Sequence, residues 1–305
     1  MATHYRARMN GSDRVALQVV RRGMTASAMT LGLVLVPILG PAAERSTAAT
    51  MFGTLRAPGE PALIAGHRGD RSTAPENTIA ALTAALAGPM VFVETDVRLT
   101  SDGVPVLIHD ETVDRTTNGT GRVDEMTFAE LRSLDAGSWF SSVHSGEHIP
   151  SLEEFLDLLA ESRKKAMIEL KGVWSPEAVS LVDSLLAESG MRSRVVLASF
   201  EPETLAAAQS HAPSVERAIL GREMLTDPVA EVSAVGAIAL ITNAKVLAAN
   251  PGLVDSLHDV GLGVLIYTLN EEQSWAEALA MGVDGIITDT PSSLDGWLAD
   301  TAPGT

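Results

Sequence analysis

Two histidines, three carboxylates and two cations stand out in this 305-residue chain because each sits in or just after a short apolar run. His67 and Arg68 follow "ALIAG" (62–66), and Glu94 and Asp96 lie within "MVFVETDV" (90–97). His109 closes "GVPVLIH" (103–109), and Glu169 and Lys171 close "AMIELK" (166–171). Imidazole titrates near neutral pH, so His67 and His109 are the acid and base candidates. Alternate residues of a strand share a face, so Glu94 and Asp96 point one way, as do Glu169 and Lys171. Three carboxylates on neighbouring strand ends repel one another and lose hydration. Two arrangements answer this. The oxygens can hold a divalent cation such as Mg²⁺ or Ca²⁺, or the acids can pair with Arg68, Arg98 and Lys171. The gathering of three acids favours the cation. A competing reading attaches to Arg68-Gly69-Asp70, a tripeptide that in isolation is a cell-adhesion signal on a surface loop.

The remaining histidines carry less. His4 is near the N-terminus, His144 and His148 fall in a polar stretch read as a solvated loop, and His211 and His258 fall in helical segments, with solvent-side or capping roles expected.

The elements that must position these groups are legible as an alternation. Strand-like runs occur at 62–66, 90–97, 166–171, 195–200, 216–221, 237–241, 263–269 and 285–289, several of them continuously apolar as in parallel strands buried on both faces. Helix-like segments separate them. "SLEEFLDLLAE" opens with the capping-box pair Ser151 and Glu154, and "SPEAVSLVDSLLAES" with Ser175 as cap and Pro176 at the first helical position. Eight strands alternating with helices predict a (β/α)₈ TIM barrel over residues 60–300, in which the loops after the strands carry the site. An open doubly wound sheet is the alternative, but no glycine-rich nucleotide fingerprint follows the first strand. A small insertion after the second barrel strand, at about 110–148, breaks the alternation. Before it, the turn signal "TSDG" predicts that Val104 to His109 folds back as a hairpin arm.

Bulk properties exclude some chemistry. The chain has no cysteine, hence no disulfide, thiolate ligand or cysteine nucleophile. Residues 1–49 hold six arginines against Asp13 and Glu44, a net +4, followed by the uncharged apolar run 24–40 and a small-residue exit. This pattern predicts a signal segment that is cleaved on export, or an N-terminal anchor. The net charge of −17 leaves −21 on the rest, which repels nucleic acid and anionic lipid surfaces. A phosphate-bearing substrate therefore needs local positive charge.

Beyond these readings, the chain resembles the glycerophosphodiester phosphodiesterases. The resemblance is carried in order by "HRG" (67–69), "PENT" (75–78), "ETDVRLTSDGVPVLIHD" (94–110), "DRTTNGTG" (114–121), "LDAGSWF" (134–140), "IPSLEEFL" (149–156), "IELK" (168–171), "SF" (199–200), "YTLN" (267–270) and "GVDGIITDTP" (282–291). It implies that Glu94, Asp96 and Glu169 ligate one divalent cation, Ca²⁺ or Mg²⁺. It implies that His67 and His109 are the acid/base pair and that Arg68 and Lys171 contact phosphate. It also implies attack of the glycerol 2-hydroxyl on phosphorus, a cyclic phosphate opened by water, and release of glycerol 3-phosphate and an alcohol. Many relatives carry tryptophan where this chain has Tyr267, which bears on head-group or glycerol preference. Phe200 is read as a pocket wall or as core. The expected partner is a small glycerophosphodiester, with no nucleic acid and no stable membrane partner. The rival readings are a phospholipase D-type hydrolase of lysophospholipids on the same barrel, and a non-catalytic exported binding protein.

Overall fold

A computed structural model describes residues 48–301. The leader read at 1–49 lies outside the described residues except for Ala48 and Ala49. Among the described residues nine strands run in chain order: β1 (Leu63–Gly66), β2 (Phe92–Leu99), β3 (Pro105–Leu107), β4 (Lys165–Leu170), β5 (Val195–Ser199), β6 (Glu216–Gly221), β7 (Ala239–Asn243), β8 (Gly263–Tyr267) and β9 (Gly285–Thr288). Eight of them form a closed parallel ring, β1-β2-β4-β5-β6-β7-β8-β9, with β9 returning to β1. The remaining one, β3, pairs antiparallel with β2 through Val97 and Leu107. The hairpin arm and the (β/α)₈ barrel are therefore as expected. Strand ends differ by a few residues. β2 runs on to Leu99 because β3 pairs with it, and β7 runs on to Asn243 because polar Thr242 and Asn243 continue the ladder with β8.

The period-two alternation of each strand sorts its residues between two cores. Ile64, Val93, Val97, Ile168, Leu170, Leu197, Leu240 and Ile286 face outward against the helices. The helices facing them are α2 (Ile79–Ala87), α4 (Leu152–Ala160), α5 (Pro176–Glu188), α6 (Pro202–His211) and their successors. The five-residue α1 (Ala48–Phe52) and α3 (Phe128–Arg132) lie apart from this layer. The predicted caps are in place: Ser151 and Glu154 form a reciprocal capping box at α4, and Ser175 caps α5 with Pro176 following. Ala65, Phe92, Met167, Val196, Ala198, Ala218, Leu220, Ile241, Leu265 and Ile287 point into the barrel and fill it. Each large side chain so buried contributes about 1.5–3 kcal/mol.

The N-terminal end of the barrel is closed by α1, whose Met51 and Phe52 are buried. Phe52 lies 5.6 Å from the Phe92 ring, and Lys165 donates to the Met51 carbonyl. At the same end His258 Nε2 lies 2.9 Å from Asp284 Oδ2, and Asp284 also accepts from the backbone of Val264 and Arg56. His258 is thus a tether to a fully buried carboxylate, not the solvent-side or capping residue expected. The segment between β3 and α4 carries α3 and its own small core of Val106, Ile108, Val113, Val123, Leu131, Ala136 and Ile149. His144 and His148 reach the carbonyls of Thr73 and Leu134, pinning that segment. No helix among the described residues is long and apolar enough to cross a membrane.

Candidate active site

One step beyond the inward-facing apolar layer, the same alternation places a polar layer at the C-terminal mouth. Continuing Ala65, Phe92, Met167, Ala198, Leu220, Leu265 and Ile287 by two residues gives His67, Glu94, Glu169, Phe200, Arg222, Tyr267 and Asp289. All of these except Asp289 line a cavity of about 300 Å³, together with Arg68, His109 and Lys171. The sequence-selected residues other than Asp96 therefore share this cavity, with Phe200 and Tyr267 as pocket walls.

The two histidines are held in the same way. His67 Nδ1 is 2.6 Å from Asp289 Oδ1, and His109 Nδ1 is 2.7 Å from Asp110 Oδ1. A carboxylate only accepts, so each Nδ1 carries the proton and each Nε2 is left as the free nitrogen of the ring. Burial pulls both imidazoles below their ordinary pKa. For His67 the bond to Asp289 opposes this, and for His109 the charge of Asp96 does. Asp289 is itself opposed by burial, but its bonds to His67 and Asn270 and the nearby Arg71 hold it at about 2. Asp110 is fixed by Arg115 at 2.6 Å.

Carboxylate oxygens of Glu94, Asp96 and Glu169 lie within 4.8 Å of one another. The register explains the convergence, since Asp96 of β2 pairs with Glu169 of β4. Burial and the charge of Asp96 push Glu94 well above the usual carboxylate range and Glu169 up to about 7. Asp96 is held low despite burial, by Lys171 and Arg68. Lys171 Nζ bridges Asp96 at 2.9 Å and Glu169 at 2.8 Å. Arg68 Nε sits 3.3 Å from Asp96 Oδ2, off the line of a hydrogen bond, while Nη1 donates to Glu76 at 2.6 Å. Arg98 pairs with none of the acids; it donates to the His109 carbonyl. The ion-pair alternative is thus only partly realised. Among the described residues no side-chain cation lies within ion-pair range of Glu94, whose carboxylate accepts from the Arg68 amide at 2.8 Å. Buried oxygens in excess of the cations beside them could hold a hard divalent ion.

The loop after β1 is built to aim these groups. Arg68 has φ 57° and Gly69 φ 86°. Arg68 in this left-handed region costs about 1 kcal/mol, offset by the Arg68 and Gly69 amides donating to Glu94 and the Arg68 carbonyl accepting from Asn77. A Cβ on Gly69 would lie 2.7 Å from the Ala81 carbonyl of α2, so only glycine fits. Asp70 is buried and accepts from Ser72, so the adhesion tripeptide is not displayed.

Sequence reasoning gave no role to Asn77, Glu76, Asp289, Asp110 or Arg222. Asn77, also left-handed at φ 56°, donates to Asp96 and accepts from Thr95, orienting the carboxylate. Its signal was that asparagine tolerates this backbone region. Asp289 and Arg222 were accessible from the period-two count along "GIITD" and "ERAILG". Glu76 is a nearly fully buried carboxylate that receives Arg68, Arg71 and Arg115. Burial raises its pKa, but the three guanidiniums outweigh this and hold it at about 2, below its ordinary 4.5.

A stability prediction follows from Glu76. A depressed folded-state pKa contributes stability that is complete above about pH 4.5 and is lost as pH falls through about 2. The shift corresponds to roughly 3 kcal/mol. Glu76→Gln is expected to lower the unfolding free energy at pH 7 by about 3 kcal/mol, and to shrink the wild-type loss between pH 7 and pH 3. Urea denaturation at both pH values reads this. Equal losses in wild type and variant would show that the cluster contributes nothing to the acid limb.

Comparison with known proteins adds identity to geometry. Residues 67–293 match the glycerophosphoryl diester phosphodiesterase family. A glycerophosphodiester phosphodiesterase of Caldanaerobacter subterraneus subsp. tengcongensis is 35% identical, over 76% of this chain and 96% of its own length. The crystal structure of a glycerophosphodiester phosphodiesterase from Agrobacterium tumefaciens superposes with a TM-score of 0.69 at 32% identity, covering 77% of this chain and all of that one. A phosphodiesterase from Oleispira antarctica, solved with the product sn-glycerol-3-phosphate, superposes with a TM-score of 0.71 at 26% identity, covering 78% and 96%.

Proposed function

The chain belongs to the glycerophosphoryl diester phosphodiesterase family and is a phosphoric diester hydrolase; from that premise we propose that it cleaves small glycerophosphodiesters to glycerol 3-phosphate and an alcohol by paired histidine acid/base catalysis. The observation that carries the reading is the pair of imidazoles, each fixed at Nδ1 by a carboxylate, lining one cavity with Glu94 and Glu169 of the three-acid cluster.

In this mechanism the phosphodiester sits between the two Nε2 atoms. One Nε2 takes the proton of the glycerol 2-hydroxyl as its oxygen bonds to phosphorus. The other, protonated, gives its proton to the departing alcohol as the old P–O bond breaks. The product is a five-membered cyclic phosphate. The roles then reverse: water loses a proton to the second imidazole and attacks phosphorus, and the 2-oxygen of the ring takes a proton from the first as its P–O bond breaks. Asp289 and Asp110 hold the rings in place and offset imidazolium charge as it forms. Arg68 and Lys171 orient the phosphate oxygens. Glu94, Asp96 and Glu169 are the residues that would hold Ca²⁺ or Mg²⁺, whose charge would offset that developing on the phosphoryl oxygens. A cavity of about 300 Å³ suits a small diester.

Purified protein supplied with glycerophosphocholine, glycerophosphoethanolamine and glycerophosphoglycerol, with added Ca²⁺ or Mg²⁺, is expected to release glycerol 3-phosphate. Release of phosphocholine in its place would refute the assigned bond. Faster turnover of lysophosphatidylcholine than of all three would favour the lysophospholipase D reading. Export is part of the same proposal, supported by the basic and apolar pattern of residues 1–49, and predicts this activity in the envelope or culture fluid of the source cells.

A further inference from the structure

We propose that Arg222, stacked on Phe200 at the cavity wall, reads the charge of the departing alcohol, so that the enzyme favours diesters whose alcohol carries an anion and disfavours cationic head groups such as choline. The inference rests on the hydrolysis proposed above.

Among the described residues lining the cavity, Arg222 is the cation that makes no ion pair, although the Glu169 carboxylate feels its charge. Arg68 is paired with Glu76 and Asp96, and Lys171 with Asp96 and Glu169. The guanidinium of Arg222 lies over the Phe200 ring, 3.7 Å from its centroid. Phe200 in turn meets Tyr267 edge to face at 6.1 Å. The backbone beneath is pinned on both sides: Tyr267 donates its hydroxyl to the Gly221 carbonyl, and Asn243 donates to the Arg222 carbonyl. The tyrosine hydroxyl is thus occupied in shaping the wall that carries Arg222.

Position selects which part of the substrate meets this wall. Arg222 follows β6, which is diametrically opposite β1 in the eight-strand ring, and β1 delivers His67. For the 2-hydroxyl to attack, the glycerol arm must curl into a five-membered ring at phosphorus, so it stays compact. The arm free to extend across the mouth is the other ester, the departing alcohol. An anion there gains a charge-assisted contact with an otherwise unpaired guanidinium. A quaternary ammonium is held by free aromatic faces, but the Phe200 face already carries a cation, which repels it.

The test compares kcat/KM for three matched diesters: glycerophosphocholine, glycerophosphoglycerol, and glycerophosphoglycerol bearing a terminal phosphate. Wild type is expected to prefer the terminal phosphate to choline by about ten-fold, the scale of one charged contact, and less in high salt. Arg222→Ala is expected to bring the three within about two-fold, and Arg222→Glu to invert the order. Arg222→Lys, which keeps the charge, is expected to retain the order, separating charge from packing. An equal loss on all three diesters in Arg222→Ala would place Arg222 on the reacting phosphate and overturn the proposal, as would an unchanged ratio. Absence of hydrolysis of any diester by wild type would overturn the functional reading itself.

Discussion

Replacing His67 or His109 by alanine is expected to lower kcat by about 10²–10⁴-fold, with a much smaller change in KM. Each imidazole has its Nδ1 on a carboxylate, so in the proposed mechanism loss of the ring removes a proton carrier while Arg68 and Lys171 stay in the cavity. Because both rings serve one transition state in the proposed mechanism, the double variant is expected to be far less impaired than the product of the single losses. Asp289→Asn is a graded control. Asp289 raises the His67 pKa against burial, so its removal lowers that pKa further. The limb of the pH–kcat/KM profile that reports His67 is then displaced to lower pH, while the limb reporting His109 stays. A near-wild-type rate in either alanine variant would sink the acid/base assignment. An Asp289→Asn profile that moves upward would contradict the electrostatic account of the dyad.

Exhaustive chelation is expected to reduce glycerol 3-phosphate release by at least about 10²-fold, with Ca²⁺ or Mg²⁺ restoring it. The basis is the excess of buried carboxylate over cation at Glu94, Asp96 and Glu169, where Glu94 and Glu169 are both pushed upward in pKa by burial and by Asp96. Stability gives a readout independent of turnover. A cation that binds only the folded state stabilises it by about 2.7 kcal/mol at one hundred times its Kd, so thermal unfolding of the stripped protein is expected to shift upward on titration. Glu94→Gln is expected to weaken that shift while leaving the Lys171 bridges to Asp96 and Glu169 in place. Full activity after complete metal removal, or a thermal shift unaltered by Glu94→Gln, would refute the carboxylate-cation reading.

Strand alternation and the order of motifs were enough to anticipate the barrel and the gathering of His67, Glu94, Asp96, His109, Glu169 and Lys171 at one mouth of it. These features are local. A period of two states which side chains share a face, and a polar residue ending an apolar run announces that the run has reached the barrel mouth. Leu63, Ala65 and His67 belong to one such line, and Met167, Glu169 and Lys171 to another.

The partners of those residues were set elsewhere. His67 meets Asp289, 222 positions away, because β9 closes against β1. Arg98 turns to the His109 carbonyl and leaves Glu94 without an ion pair among the described residues, and Asn77 and Glu76 reach the cluster because the loop after β1 folds back over β2. His258, unremarkable on its helix, finds a buried aspartate at the opposite end of the barrel. Arg222 lies over Phe200 because β5 and β6 are neighbours in the ring. Alternation along one strand is a property of consecutive residues and survives in the one-dimensional record. Which charge neutralises which depends on ring closure and loop path, and these bring together groups hundreds of residues apart whose pairing no local spacing encodes.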